Sequence, residues 1–265
     1  MKSKTLLAVG AISAALTLTV RADFIDNFDS YANQAALTAV WNQALSGTEM
    51  LLDSSGTPAA VSSPNVVKQT TTAASRVGRS AGMGVQANLL NWSFDFFDAG
   101  GSRDFNGLYA YTGAWGVGLE TALAIGVYNT GTAGHYMGRY SAITGAVFAD
   151  GAVTTGTAGG GWFTLTGAPR GTGAWHDMQV LGMADPLNAG KTRLEFYVDT
   201  VLAGSIGNIN SYSLTYAVIG GAVSTTTAGS ATDNFSVVTV PEPSTLALSL
   251  LGGVGLLWIA RRRSA

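Results

Sequence analysis

The run Asn91-Trp92-Ser93-Phe94-Asp95-Phe96-Phe97-Asp98 places Trp92, Phe94 and Phe96 on one side of an extended chain and Ser93 and Asp95 on the other. Alternation at period two is the mark of a half-buried antiparallel strand. Leu119, Thr121, Leu123, Ile125 and Val127 repeat the pattern over a longer strand that closes at Asn129-Thr130-Gly131. Later strands are expected over 162–166, 175–181, 193–198, 214–219 and 234–240, punctuated by clusters such as Gly159-Gly160-Gly161 and Asp185-Pro186. Ten or so short strands without a convincing amphipathic helix between them specify an all-β sandwich. One short helix is expected over 33–44, where Ala35-Ala36-Leu37 favours it and β-branched Thr38 and Val40 weaken it. The basic, Thr-rich stretch from Val67 to Gly82 reads as a long surface loop.

Composition agrees with strands and tight turns. Of 265 residues only 11% are charged, against a usual share of about 25%. The 35 glycines follow no period of three, which excludes collagen. Residues 1–22 carry Lys2, Lys4 and Arg21, residues 23–240 carry 8 Lys and Arg against 15 Asp and Glu, and residues 241–265 carry three Arg against Glu242. An acidic middle without a basic cluster argues against a nucleic-acid partner, which needs cations to displace phosphate counterions. With no cysteine, neither a disulfide framework nor a thiolate metal site is available.

Both ends read as addresses. Lys2 and Lys4 precede an apolar run from Leu6 to Val20, and Val20-Arg21-Ala22 supplies residues that a signal peptidase reads, so residues 1–22 are expected to be a helical signal peptide cleaved after Ala22. At the other end Pro241-Glu242-Pro243 leads through Ser244-Thr245 into an apolar stretch, Leu246 to Ala260, closed by Arg261-Arg262-Arg263. Fifteen helical residues reach about 23 Å, short of a hydrocarbon layer of about 30 Å, so the segment must thin the bilayer or let its arginines snorkel. The arginines orient it with the tail in the cytoplasm and the body outside. Two prolines keep the residues around Glu242 extended and short of backbone donors, open to an enzyme cleft.

Pro-Glu-Pro, a short Leu/Gly-rich helix and a terminal Arg cluster, together with a signal peptide, resemble the PEP-CTERM sorting signal of Gram-negative bacteria. The resemblance implies recognition of residues 240–265 by an exosortase, transient residence in the inner membrane, and release to the cell surface or an extracellular matrix beside exopolysaccharide systems. Between the two addresses, residues 23–239 form one domain. There Trp175-His176-Asp177-Met178-Gln179-Val180, followed after a turn by Leu194-Glu195-Phe196-Tyr197-Val198-Asp199, resembles the paired strands of concanavalin-like, laminin-G-like jelly rolls. Thr200 stands where that family has Gly. The opening Phe24-Ile25-Asp26-Asn27-Phe28 and the closing Asp233-Asn234-Phe235 fit the same pattern, which implies first and last strands side by side.

Catalytic groups are sparse. His135 and His176 are 41 residues apart, with no zinc-type spacing. A nucleophile elbow and a phosphate loop are both missing, and Gly82-Met83-Gly84 and Gly116-Val117-Gly118 read as bulges and turns. Glycoside hydrolysis needs two carboxyls about 5 to 9 Å apart, which Glu195 with Asp199, or with Glu120, supplies in an alternative reading as a hydrolase. No catalytic residue is assigned, and a non-enzyme is expected. Asp26, Asp29 and Asp233 offer hard oxygen ligands to Ca²⁺ if the terminal strands pair, although no calcium loop supports them and no cofactor is otherwise expected. Tyr109, Tyr111 and Trp115 are candidate carbohydrate contacts, since aromatic rings stack on sugar faces. The leading expectation is a structural or adhesive matrix protein with weak exopolysaccharide binding; the third reading is a permanently anchored inner-membrane protein.

Overall fold

The computed structural model describes residues 24–44, 50–56, 58–69, 77–111, 119–128, 134–142, 154–158, 161–211, 213–220 and 229–240. Sixteen strands, one α-helix and one 3-10 turn (Ala87–Leu89) appear among them. In chain order these are β1 (Phe24–Asp26), α1 (Gln34–Val40), β2 (Gln43–Ala44), β3 (Leu51–Asp53), β4 (Val66–Lys68), β5 (Val77–Gln86), β6 (Leu90–Asp98), β7 (Phe105–Tyr111), β8 (Leu119–Gly126) and β9 (His135–Ala142). Then follow β10 (Thr154–Ala158), β11 (Trp162–Pro169), β12 (Ala174–Ala184), β13 (Thr192–Val198), β14 (Val201–Ile209), β15 (Ser213–Ile219) and β16 (Ala231–Thr239). Two antiparallel sheets result. The first runs β14-β13-β12-β6-β16-β4-β3, with β1 also on β16; the second runs β10-β11-β9-β8-β7-β15-β5-β2.

The alternation in β6 has the expected consequence: Leu90, Trp92, Phe94 and Phe96 are buried and the residues between them are half-buried. They meet Leu108, Leu123, Tyr136, Phe163 and Leu214 of the second sheet in one continuous core, the interdigitation that makes a sandwich. The terminal strands lie side by side, with Phe24 opposite Val237 and Asp26 opposite Phe235. Beneath them Trp41 packs edge-on against Phe235 at 5.6 Å, and Phe94 stacks on Phe235 at 5.9 Å. Asp26 fixes this corner by accepting hydrogen bonds from Trp41 Nε1 (2.9 Å), Tyr31 Oη (2.5 Å) and the Phe28 amide (2.9 Å).

Three expectations need correction. The helix stops at Val40, because Trp41 drops into the core and Gln43–Ala44 pair with β5 as a strand. The Val67–Gly82 region is no long loop: Val66 and Val67 are buried in β4, which pairs with β16, and β5 begins at Val77. Most of its Thr-rich centre, 70–76, lies outside the described residues. Finally, β8 is covered on both faces where its side chains are described, since Ala122 and Ala124 are as buried as Leu123 and Ile125.

The β13–β14 hairpin turns on two residues with positive φ, Asp199 (49°) and Thr200 (67°). Left-handed backbone at both positions is the geometry of a two-residue hairpin turn, normally given to Asn or Gly. The side chain of Asp199 compensates in part by accepting the Asp177 amide at 3.0 Å. No helix among the described residues is long and apolar enough to cross a membrane; residues 1–22 and 241–265, where the two helices are expected, lie outside them.

Candidate functional site

The second sheet has a side chain layer of its own on the face turned away from the core. Along β7, Leu108 points into the sandwich while Phe105 and Tyr109 belong to clusters on the opposite face. The register Tyr216↔Tyr109↔Ala122 joins β15, β7 and β8 into one row. Small residues make the floor of this face, and aromatic ones lie across it. A Cβ on Gly107 would meet Tyr109 Cε1 at 2.6 Å, so the glycine is what lets the Tyr109 ring lie flat along the sheet.

Two aromatic groups result. Tyr109 contacts Tyr111 at 6.2 Å between centroids, and Tyr111 meets Tyr216 edge-on at 5.4 Å. A second group joins Phe105 to Trp162 at 4.8 Å and stacks Tyr128 on Trp162 at 4.4 Å and 7°. Arg139 sits 5.6 Å over Trp162 and Arg103 5.4 Å over Tyr128, the placement in which a guanidinium is attracted by a ring face. Tyr109 is only 2% exposed, whereas Tyr111, Tyr128 and Tyr216 are half-buried. Of the expected carbohydrate contacts, the structure therefore brings Tyr109 and Tyr111 together and leaves Tyr111 the more accessible; Trp115 lies outside the described residues. Tyr216, Tyr128 and Trp162 were not expected here, because nothing local in the sequence pairs them with β7.

The carboxylates of the hydrolase reading are already engaged. Glu195 accepts hydrogen bonds from Tyr197 Oη at 2.6 Å and Arg193 Nε at 3.1 Å, and that bond, then burial, pushes the Tyr197 phenol up to about 12. Asp199 is held in the hairpin turn, 2.8 Å from His176 Nδ1, while His176 Nε2 lies 2.9 Å from the Gly171 carbonyl. Glu120 lies on β8, in the other sheet from Glu195. The His135 ring is 3.2 Å from the Ala168 carbonyl.

Of the calcium candidates, Asp26 holds the corner described above. Asp29 accepts the Asn65 amide at 3.1 Å and Asn27 Nδ2 at 3.0 Å, and Asp233 accepts the Ser62 amide at 2.8 Å and Ser62 Oγ at 2.9 Å. These carboxylates fasten loops to the terminal strands. Among the described residues no group of three or more His, Cys, Asp or Glu is arranged to hold a metal ion.

Two buried acids sit where the sheets meet at one end. Asp98, fully buried, takes a paired bond from Arg170, Nε to Oδ2 at 2.5 Å and Nη2 to Oδ1 at 2.7 Å. Its signal was in the sequence: Asp98 continues the apolar parity of Trp92, Phe94 and Phe96. Asp104, 1% exposed, accepts Ser230 Oγ at 2.8 Å through Oδ2, while its buried Oδ1 accepts no hydrogen bond. It borders a small cavity with room for about one water, lined by Gln69, Asn106, Ser230 and Thr232. Burial, with the Asp98 charge adding to it, pushes the Asp104 carboxyl up to about 6.

Among solved structures the chain is similar to the alginate lyase Aly36B, with 11% identity and a TM-score of 0.48 over 83% of this chain and 98% of that one. It is also similar to a PL-14 alginate lyase from Aplysia kurodai, with 10% identity and a TM-score of 0.43 over 72% and 87% of the two chains. No residue role passes from these enzymes to this chain. No curated protein matches it. Residues 239–263 match the PEP-CTERM protein-sorting motif, and that motif implies exosortase-processed export.

Proposed function

We propose that the protein is a non-enzymatic component of the cell surface or extracellular matrix, with a structural or adhesive role and weak affinity for exopolysaccharide. On this reading a signal peptidase cuts after Ala22, Leu246 to Ala260 hold the chain briefly in the inner membrane as a short helix, and an exosortase acts near Pro241-Glu242-Pro243. Arg261, Arg262 and Arg263 stay cytoplasmic and leave with the tail. The observation that carries the adhesive part is the aromatic layer on the second sheet, where half-buried Tyr111 and Tyr216 meet edge-on and half-buried Tyr128 lies under Arg103 beside the Trp162–Arg139 pair. Rings with apolar bodies and polar tips suit the wet, partly apolar surface of a sugar. That Glu195 and Asp199 are consumed by neighbours supports a binding role over hydrolysis.

The test is an array of bacterial polysaccharides probed with the exported, processed protein, alongside an assay for new reducing ends. Binding that falls in the Tyr111→Ala/Tyr216→Ala double variant is the expected outcome. Release of reducing ends that disappears in Glu195→Gln overturns the reading in favour of a hydrolase. Intact mass of the exported form decides between release and permanent anchoring, since only an anchored protein keeps Arg261 to Arg263.

A further inference from the structure

The domain begins and ends at one pole. Phe24 opens β1 opposite Val237, and Thr239 closes β16 opposite Leu90, with the Val240 amide donating to the Leu89 carbonyl at 2.8 Å. The loop between β12 and β13, residues 185–191, projects from the same pole. Leu181 and Val238 both register against Asn91, so Ala184 stands one residue level beyond Val240, about 3.3 Å further out, and the loop extends past that. Laterally, β12 and β16 are separated only by β6, about 10 Å at normal strand spacing.

At the tip of this loop Leu187 is 78% exposed, and Val240 at the same pole is 41% exposed. The loop is built to hold the leucine outward. Buried Asp185 accepts the Leu187 amide at 2.9 Å, Asn188 Nδ2 at 2.9 Å and the Asn208 amide at 2.6 Å, and its own amide donates to the Lys191 carbonyl at 2.8 Å. Lys191 is the only cation from 185 to 191, and the one carboxylate there, Asp185, is buried.

We propose that this pole is a membrane-docking surface, with Leu187 entering the interface of an anionic bilayer and Lys191 at the headgroups while the tail is still attached. The inference rests on the reading of Leu246 to Ala260 as a membrane segment. Five residues, Pro241 to Thr245, separate the last described residue from that segment, and they span at most about 18 Å fully extended. The tether therefore brings the Leu187 loop to the headgroup layer, where a rigidly presented apolar side chain gains by leaving water. Docking would also hold Pro-Glu-Pro at a fixed height for a membrane-embedded processing enzyme.

The chain contains no cysteine, so a single introduced one is a unique labelling site. Full-length Leu187→Cys, Thr200→Cys and Leu250→Cys chains, each carrying an environment-sensitive dye, are reconstituted in phosphatidylcholine/phosphatidylglycerol vesicles with a lipid-borne quencher. Thr200 is exposed at the opposite pole, so its dye reports an undocked surface. Quenching at 187 several-fold above that at 200, together with strong quenching at 250, is expected. Strong quenching at 250 with 187 no more quenched than 200 overturns the docking surface and leaves the membrane tail intact. A dye at 250 that stays in water overturns the tail reading, and the docking surface with it. To separate Leu187 from the dye, an Ala189→Cys label is compared with and without Leu187→Asp; quenching that Leu187→Asp leaves unchanged also overturns the proposal.

Discussion

Thr200 occupies a left-handed position, φ 67°, where a β-branched side chain is crowded against its own backbone and glycine is not. Thr200→Gly is therefore expected to stabilise the domain by about 1 kcal/mol, a melting-temperature rise of a few degrees in thermal unfolding. Arg170 has the opposite weight. Its removal in Arg170→Met leaves Asp98 charged and buried without its counter-ion, and a broken buried pair typically costs about 3–5 kcal/mol, which denaturant midpoints will register. Asp104 gives the fold a pH dependence of definite sign. Its carboxyl is pushed from 3.8 to about 6 in the folded chain, so the folded state holds a proton that the unfolded state has already lost. Stability is then highest below about pH 4 as far as this group is concerned, and declines by up to about 3 kcal/mol as pH rises to 6 and above. Asp104→Asn should abolish that decline, and unfolding curves at pH 4 and pH 7 measure it as a change in the difference between the two, whatever the absolute stability of the variant.

At the scale of elements, α1 has seven residues and little intrinsic stability, and depends on its ends. Asn33 Oδ1 accepts the Ala36 amide at 3.0 Å, so Asn33→Ala should cost about 1 kcal/mol, measurable as a shift in denaturant midpoint. The strands were legible wherever one face only is covered. Trp92, Phe94 and Phe96 announced β6, and the Trp175–Val180 and Leu194–Val198 segments announced the β12–β13 pair, because period two survives when one side is buried and the other wet. It fades in β4, which is three residues long. The aromatic layer was half legible for a related reason. Tyr109 and Tyr111 are two apart and visible together, but Tyr216 joins them through a β7–β15 pairing across more than a hundred residues. Long-range register of this kind is settled by the whole sheet and leaves no local mark.

For the whole molecule, the placement of the termini separates folding from sorting. Strand β16 lies inside the first sheet, bonded to β6, β1 and β4, and Phe235 and Val237 are core residues. Beyond Val237 the chain is only partly buried to Thr239, and Val240 is exposed. The segment that addresses the protein thus begins where the segment that stabilises it stops. A chain cut after Val240 is expected to melt within about 2 °C of the full-length protein, since ΔΔG near zero moves the midpoint little. A chain cut before Asp233 removes the strand that Phe24, Trp41 and Phe94 pack upon, and should not fold. Thermal unfolding of the two truncations, followed by near-ultraviolet circular dichroism of the core tryptophans, distinguishes these outcomes. A large destabilisation on losing 241–265 would mean that the tail packs on the body, and an exosortase would then be cutting a folded element instead of a free connector.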